Sequence, residues 1–407
     1  MPRPSHLASL LLIPLLAAPA ASAQTNSLCP TFNKVLAQHG VVGGAIAIVH
    51  NAAQPQTCFY GHARKDTPID AATSYNWASI TKTMTAIAIL QLRDRGRLSL
   101  DDPAERYVPE LRQVHDAFGP IEAVTIRTLL THSAGFRNPT WPWDCDDPAN
   151  CDWQPFEPTR WAQVAAMLPY THVAFAPGTR WSYSNLGYVF LGQIIERLTG
   201  DDFEVYITKN ILMPLGMTQS YFDVSPYFLE SHVSASYLRA GDKLTEQPFN
   251  FDTGITTSNS GLKAPVTDMA KYAQFLLGND LDRPLHAMVL RRGSLEEAWK
   301  GVLPVTDPGQ PATPYTTGTP RMGLGFFVTT IDGHRYVYHD GDQGGFSSEL
   351  FLDPARHTAA ILVVNTTDTG APPPTPATHA ESNTEPNPAT DLRLTLRRYL
   401  IDHVFSH

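Results

Sequence analysis

The pattern of apolar and polar positions changes twice along this chain. Short apolar runs typical of strands come first, at 41–50 and 57–63, and the second run is placed to pair with the first as a hairpin. From residue 80 to about residue 277, apolar residues recur every three or four positions, which predicts helices. Runs typical of strands then return between residues 324 and 364. The pattern therefore predicts a sheet made from both ends of the chain, with helices inserted between them.

Individual elements follow from the same pattern. Inside the helical region, helices are predicted at 126–130, 161–168, 187–198 and 269–277. Short runs separated by Gly, Asp and Pro turns then predict strands at 324–331, 336–339, 347–352 and 358–364. A closing amphipathic helix is predicted at 391–404. The segment before it, 367–390, is rich in Pro, Ala, Thr and Asn without periodicity, so we predict an exposed, disordered insertion.

These elements predict an α/β (α+β) fold class, in which an antiparallel sheet is flanked by helices and carries an inserted all-helical region. Residues 24–78 and 258–407 supply the sheet region, and 79–257 the mainly helical region. The chain has 407 residues, of which 43% are hydrophobic, and this is ample for a core. Its formal net charge of -9 and the absence of a basic run argue against nucleic-acid binding.

The first 23 residues are typical of a cleaved secretory signal. Arg3 is followed by an apolar stretch at 7–16, and Ala21-Ser22-Ala23 precedes Gln24. No other segment has the length and apolarity of a membrane span. We therefore expect an exported protein, periplasmic or secreted, with no membrane span once the signal is removed.

Export permits disulfides, and the chain has four cysteines, which allow three pairings. Proximity favours Cys29 with Cys58, and Cys145 with Cys151. The second pair would close a loop within 137–160 that is crowded with tryptophans and aspartates. That loop is either a substrate lid or a stapled surface loop. A calcium site there is disfavoured because Pro148 breaks the ligand spacing.

Ser79 and Lys82 are the strongest candidate chemistry. At this three-residue spacing, at the start of an apolar helical run, the hydroxyl and the amine share one helix face. Serine needs a neighbouring group to take its proton before it attacks a carbonyl, and a desolvated lysine can do so. Ser260 and Lys263 repeat the spacing, but Pro265 follows them in a segment where no helix is predicted. The sequence therefore favours Ser79 as the nucleophile.

Two further motifs supply partners for Ser79. Tyr183 could carry the proton, although a phenol with a pKa of ~10 needs an adjacent cation such as Lys82 to act as a base or relay near neutrality. Asn185 can donate and accept hydrogen bonds, and so can orient lysine or substrate. Segment 338–342 ends a predicted strand, where the backbone N–H of Asp342 could complete an oxyanion hole with that of Ser79. His132 is interpreted as structural, since no acid is spaced to orient it.

In this order and at these separations, the motifs resemble those of the serine β-lactamase and penicillin-binding-protein superfamily. The similarity is greatest to the branch that holds class C β-lactamases, D,D-peptidases and family VIII esterases. It covers about 41–364 and includes Leu129-Leu130-Thr131-His132-Ser133-Ala134-Gly135-Phe136, Pro214-Leu215-Gly216-Met217-Thr218, and Gly261-Leu262 followed by Asp268-Met269-Ala270.

The resemblance implies a β-lactamase/transpeptidase-like fold and a serine hydrolase that forms an acyl-enzyme. It implies that Ser79 is acylated, that Lys82 and Tyr183 share proton transfer, and that Asn185 and the strand residues His339 to Gly341 line the site. The chemistry needs no metal and no cofactor. The expected partner is a small-molecule ester or amide substrate, and the sequence indicates no oligomeric state.

One departure from the family pattern concerns substrate charge. His339-Asp340-Gly341 stands where β-lactamases and carboxypeptidases carry Lys-Thr-Gly, whose cation and hydroxyl receive a substrate carboxylate. We expect the Asp340 carboxylate to repel anionic substrates, and therefore predict a carboxylesterase acting on neutral esters. The alternatives are a D-aminopeptidase or D,D-carboxypeptidase-like peptidase, a β-lactamase, and a non-catalytic binding or sensor module of the same fold.

Overall fold

Strands from the two ends of the chain pair in the centre of an antiparallel sheet. The computed structural model describes residues 25–405 except 52, 137–157, 248–251, 279–283, 285–287, 306–319 and 369–387. In chain order, the strands are β1 Gly43–His50, β2 Gln56–Arg64, β3 Thr67–Pro68, β4 Ser74–Asn76, β5 Ser236–Ala240, β6 Lys243–Gln247, β7 Lys263–Pro265, β8 Leu303–Pro304, β9 Arg321–Met322, β10 Phe327–Ile331, β11 His334–Gln343, β12 Phe346–Asp353, β13 Thr358–Val364 and β14 Thr366–Asp368.

The helices fall into a group at the chain ends and a group in the middle. In chain order they are α1 Thr25–Gln38, α2 Thr81–Asp94, α3 Ile126–Leu130, α4 Trp161–Met167, α5 Asn185–Thr199, α6 Phe203–Ile207, α7 Thr257–Ser260, α8 Val266–Leu277, α9 Arg292–Ala298 and α10 Pro388–His403. Short 3-10 turns connect several of them, including Ala78–Ile80 directly before α2. Within the described residues, no helix has the length and apolar character needed to cross a membrane.

The main sheet confirms the predicted joining of the chain ends. Its strand order is β3-β2-β1-β13-β12-β11-β10-β9-β8, and every neighbouring pair is antiparallel. Strand β1 lies between β2 and β13, with Gly44 opposite Val364 and His50 opposite Thr358. Seven of the eight β1 residues are buried. A strand that is covered on both faces needs apolar residues at nearly every position, and this explains the apolar sequence of β1.

Each face of the sheet packs against its own group of helices. Helices α1 and α10 cover one face, where Phe32 and Leu396 pack with Tyr338 and Phe351. The inserted helices cover the other face, where α2 is buried along its length from Thr81 to Leu92. A helix surrounded in this way carries apolar residues on all sides, and the threonines between them are buried as well. The arrangement confirms the predicted fold class.

The sequence analysis missed one helix, and four of its predictions lie wholly or partly outside the described residues. Helix α1 was not predicted, because Pro30 lies inside it and proline disfavours helix interiors. The predicted insertion 367–390 gives its first residues to β14 and its last to α10, and its remainder lies outside the described residues. The predicted leader, Cys145 and Cys151, and most of the 137–160 loop also lie outside them.

The disulfide between Cys29 and Cys58 confirms the other predicted pairing. It joins α1 to β2 across a sequence separation of 29 residues. Cys58 lies opposite Ile46 in the strand register, so the bond fastens α1 to β2, the second strand from one edge of the sheet.

Candidate active site

Ser79 lies in a strained turn where the helical region meets the sheet. Ala78, directly before it, has a φ of 48°, which is unusual for a residue with a Cβ and marks backbone strain. The indole of Trp77 donates to the Ala264 carbonyl at 2.8 Å, and the Trp77 N–H donates to the Leu262 carbonyl at 2.9 Å. These bonds hold the turn against β7, so the start of α2 has a fixed position.

Lys82 lies one helical turn after Ser79 and points back at it. Its Nζ donates to Ser79 Oγ at 3.0 Å and to the Asn259 carbonyl oxygen at 2.9 Å. The side chain is fully buried. In the second copy of the motif, Ser260 ends α7 while Lys263 begins β7, and the Lys263 ammonium donates to the Asp223 carbonyl. In the first copy the lysine contacts its serine, whereas in the second the serine and the lysine lie in different elements.

Tyr183 completes a three-residue group with Ser79 and Lys82. Its ring centroid lies 5.0 Å from Lys82 Nζ, and its hydroxyl hydrogen-bonds with Ser79. Burial raises the pKa of the Tyr183 phenol well above its ordinary value, Asp340 and Asp342 add to the rise, and the Ser79 bond opposes it. Lys82 therefore does not bring this phenol to a neutral-range pKa, and Tyr183 keeps its proton near pH 7.

His132 supports the tyrosine rather than the reaction centre. Its ring stacks on that of Tyr183, with centroids 4.3 Å apart. Its Nδ1 accepts from the Ser184 N–H at 3.1 Å, and its carbonyl accepts from the Ser182 N–H at 2.8 Å. Burial and the charge on Lys82 hold the pKa of His132 well below its usual range. A neutral, stacked histidine agrees with the structural interpretation.

Asn185 is placed by the start of α5. It is the first residue of the helix, directly after the N-cap Ser184, whose Oγ accepts from the Gly187 N–H at 3.1 Å. The cap fixes where the helix begins. It therefore fixes the position of Asn185, which follows Tyr183 by two residues.

Strand β11 presents alternate residues to the two faces of the sheet. The predicted strand ended at residue 339, but the observed one runs to Gln343, so the candidate segment lies inside it. Val337 packs with the inserted helices and Tyr338 with the opposite face. Alternation then places His339 and Gly341 on the Ser79 side, and Asp340 and Asp342 on the other.

Gly341 is required by close approach to the serine turn. A Cβ at this position would lie 2.5 Å from the Trp77 carbonyl oxygen and 2.5 Å from Ser348 Oγ. Any other residue would push β11 away from the turn.

His339 offers no positive charge to the site at neutral pH. The side chain is 1% exposed, and its Nδ1 donates to the Asp340 carbonyl at 2.7 Å. Burial, reinforced by the charge on Lys82, lowers the pKa of His339 to about 4. The imidazole is therefore neutral where the family's Lys-Thr-Gly strand has an ammonium.

Asp340 is not the free carboxylate that the sequence analysis expected. Its Oδ1 accepts from Arg397 Nη2 at 2.9 Å, and Arg393 of the same helix pairs with Asp342 at 3.0 Å. Both carboxylates face α10, on the opposite side of the sheet from Ser79. The ion pair with Arg397 therefore offsets the charge of Asp340, so the strong repulsion expected from a bare carboxylate is not supported, although the carboxylate still contributes to the raised pKa of Tyr183.

A family model described as Beta-lactamase matches residues 30–383. The chain belongs to the beta-lactamase family. This confirms the resemblance given by the sequence motifs, and the family is one of serine hydrolases.

Curated relatives and solved structures agree with the assignment. Protein flp of Staphylococcus aureus (strain COL) is 26% identical over 329 residues, which are 80% of this chain and 60% of that protein. The chain thus spans about 60% of the length of such relatives. An octameric penicillin-binding protein homologue from Pyrococcus abyssi superposes with a TM-score of 0.72 and 26% identity, over 94% of this chain and 78% of that one. D-amino acid amidase from Ochrobactrum anthropi SV3 shares the fold, with a TM-score of 0.72 and 20% identity over 94% of this chain and 99% of that one.

Arg397 joins the C-terminal helix of this beta-lactamase family member to the site strand. Besides Asp340, it pairs with Glu349 at 2.5 Å, and Glu349 is fully buried. Asp340 and Glu349 lie directly opposite each other on β11 and β12. Like charges in that position repel, so the guanidinium between them stabilises the pairing of the two strands. Burial raises the pKa of the Glu349 carboxyl, and Arg397 opposes the rise.

The sequence analysis missed Asn259, Arg393 and Arg397. Asn259 acts through its backbone carbonyl, which no side-chain pattern signals. The two arginines are four residues apart on a helix that was predicted, so their shared face could be predicted, but their pairing with carboxylates of β11 and β12 could not.

Replacing Arg397 tests this network. Arg397→Met keeps the apolar stem but leaves Glu349 buried without its cation, so we expect the free energy of unfolding to fall by about 3–5 kcal/mol. The matched control is Arg398→Met, because Arg398 pairs with Asp402 and is 41% exposed, and surface pairs contribute at most ~1 kcal/mol. Urea unfolding at pH 7 measures both variants. If the free energy of unfolding falls by the same small amount in both variants, Arg397 does not stabilise the pairing of β11 with β12.

Proposed function

We propose that this chain hydrolyses acyl compounds through a covalent acyl-enzyme on Ser79. The observation that carries the proposal is the contact of 3.0 Å between Lys82 Nζ and Ser79 Oγ. The Tyr183 hydroxyl forms a hydrogen bond with the same serine. A nucleophile and a base within hydrogen-bond distance are what acyl transfer needs. Ser79 Oγ forms a bond to the substrate carbonyl carbon, and the bond to the leaving group then breaks.

The proton path uses Lys82 and Tyr183 in different roles. Because burial keeps Tyr183 protonated near pH 7, the phenol is suited to donate and not to start the reaction as a base. The base is assigned to Lys82, which must first lose the charge that lowers the pKa of His132 and His339 before it can accept the Ser79 proton. The proton then passes through the Tyr183 hydroxyl to the leaving group. In the second half, water gives a proton to the same pair and attacks the acyl carbon. The bond from that carbon to Ser79 Oγ then breaks, the pair returns the proton to Ser79 Oγ, and the acid is released.

The oxyanion is assigned to the backbone N–H groups of Ser79 and Asp342. Support comes from Gly341, whose missing Cβ lets β11 lie against the serine turn. Fixed backbone donors stabilise the charge that develops on the carbonyl oxygen, and they need no reorganisation during the reaction. Asn185, at the start of α5, is assigned to orienting the substrate or Lys82.

Neutral esters are the proposed substrates, which makes the chain a carboxylesterase. The support is now the neutral His339, because the described part of β11 provides no cation to receive a substrate carboxylate. A neutral acyl donor needs no such cation. Amides of D-amino acids are the competing class, since the D-amino acid amidase shares the fold.

Export is part of the proposal. The disulfide between Cys29 and Cys58 is of a kind that persists in oxidising compartments. Together with the signal-like residues 1–23, it supports a periplasmic or secreted enzyme.

Substitutions at Lys82 and Tyr183 test the proton path. Removing a general acid or base costs about 10²- to 10⁴-fold in kcat, so we expect losses of that order in Lys82→Ala and Tyr183→Phe. Steady-state hydrolysis of a p-nitrophenyl ester measures them, and circular dichroism checks the fold. A Tyr183→Phe variant with full activity would remove the phenol from the mechanism.

Substrate charge is tested with a panel of acyl donors. We expect kcat/KM for neutral short-chain p-nitrophenyl esters to exceed that for anionic nitrocefin or a D-alanyl-D-alanine peptide by about tenfold or more, equivalent to about 1.4 kcal/mol. A D-amino acid amide in the same panel tests the competing class. The control is Asp340→Asn, which should leave the ratio unchanged because that carboxylate faces α10. A ratio that favours the anionic substrates would refute the assignment to neutral esters.

A further inference from the structure

Asn76 connects the two chain segments that carry the assigned oxyanion donors. It is 3% exposed and ends β4, three residues before Ser79. Its Oδ1 accepts from the Ala78 N–H at 2.6 Å, and its Nδ2 donates to Gln343 Oε1 at 3.2 Å. One bond therefore reaches the serine turn, and the other reaches the end of β11.

The first bond fixes the turn that presents the Ser79 N–H. Ala78 has a φ of 48°, and such strained backbone persists only where surrounding contacts hold it. Within Ala78–Ile80, the Ala78 N–H goes to Asn76 and the Ile80 N–H goes to the Trp77 carbonyl at 3.2 Å. Neither bond uses the N–H of Ser79, which lies between them.

The second bond fixes the strand that carries the other donor. Gln343 is the last residue of β11 and follows Asp342 directly. Its side chain reaches across to Asn76, while the Asp342 carboxylate is held from the other face of the sheet by Arg393. The backbone around Asp342 is thus tied on both faces.

We propose that Asn76 is a positioning residue that sets the separation of the Ser79 and Asp342 N–H groups. The inference rests on the proposed function, because it takes these two groups as the oxyanion donors. Stabilisation of an oxyanion depends steeply on donor distance. Loss of the Asn76–Gln343 bond should therefore weaken transition-state binding more than substrate binding.

A separate contact keeps the site assembled when this bond is removed. Ser348 Oγ on β12 donates to the Trp77 carbonyl oxygen at 3.0 Å, so the turn remains attached to the sheet. We therefore expect Gln343→Met to fold, and to shift the two donors without separating the segments.

The experiment compares Gln343→Met, Asn76→Leu and the double variant with wild type. The matched control is Gln274→Met, the same substitution at a partly buried glutamine of α8 that does not touch the site. Each variant is assayed for kcat and KM on a neutral p-nitrophenyl ester, and for inhibition by a boronic acid. A boronic acid forms a tetrahedral adduct with a serine Oγ and places an oxygen in the oxyanion hole, so its affinity reports donor geometry.

We expect Gln343→Met to lower kcat and boronic acid affinity in parallel by about 10- to 100-fold, less than the ~100-fold or more that losing a donor costs, with KM unchanged. In the Asn76→Leu background, Gln343→Met should cost nothing further, because the bond is already absent. The control should match wild type. If Asn76→Leu fails to fold, Gln343→Met decides alone.

Wild-type kcat and boronic acid affinity in Gln343→Met would overturn the inference, and so would equal losses in both backgrounds. Failure of the proposed function has a different signature. In that case the Ser79→Ala variant would still hydrolyse the ester, and the boronic acid would inhibit this variant as strongly as it inhibits wild type.

Discussion

The junction between the buried helix α2 and strand β11 determines the chemistry of this chain. Ser79 and Lys82 belong to one helical turn, and a lysine in that position meets the serine only if the helix begins where it does. The junction depends on the absence of a side chain at Gly341 and on a strained Ala78. These features place the Ser79 hydroxyl within 3.0 Å of the Lys82 amine, where the sheet meets the inserted helices.

Sequence alone predicted the parts of this arrangement that depend on local pattern. The serine–lysine spacing leads into α2 because apolar residues alternate with threonines from residue 80 onward, and β13 has the predicted bounds because it is buried throughout. Contacts between distant segments were not predictable in the same way. Asn76 and Gln343 are 267 residues apart, and neither has a local signature of the bond between them.

Asp340 and His339 show that the charge of a site cannot be assigned from the sequence without the fold. The sequence does not show a partner for the Asp340 carboxylate. In the fold, neighbouring strand residues face opposite sides of the sheet, and Asp340 faces Arg397. His339 is a titratable group in the sequence, but burial makes it neutral. The preference for neutral substrates stays a prediction, and its proposed cause is now a missing cation instead of a repelling anion.

The central claim is that Ser79 becomes acylated, and mass spectrometry of enzyme quenched during turnover of a slowly released p-nitrophenyl ester tests it most directly. We expect the peptide that contains Ser79 to gain the mass of the acyl group, and we expect Ser79→Ala to show neither the adduct nor turnover. An acyl group on the peptide that contains Ser260, or undiminished turnover by Ser79→Ala, would contradict the account.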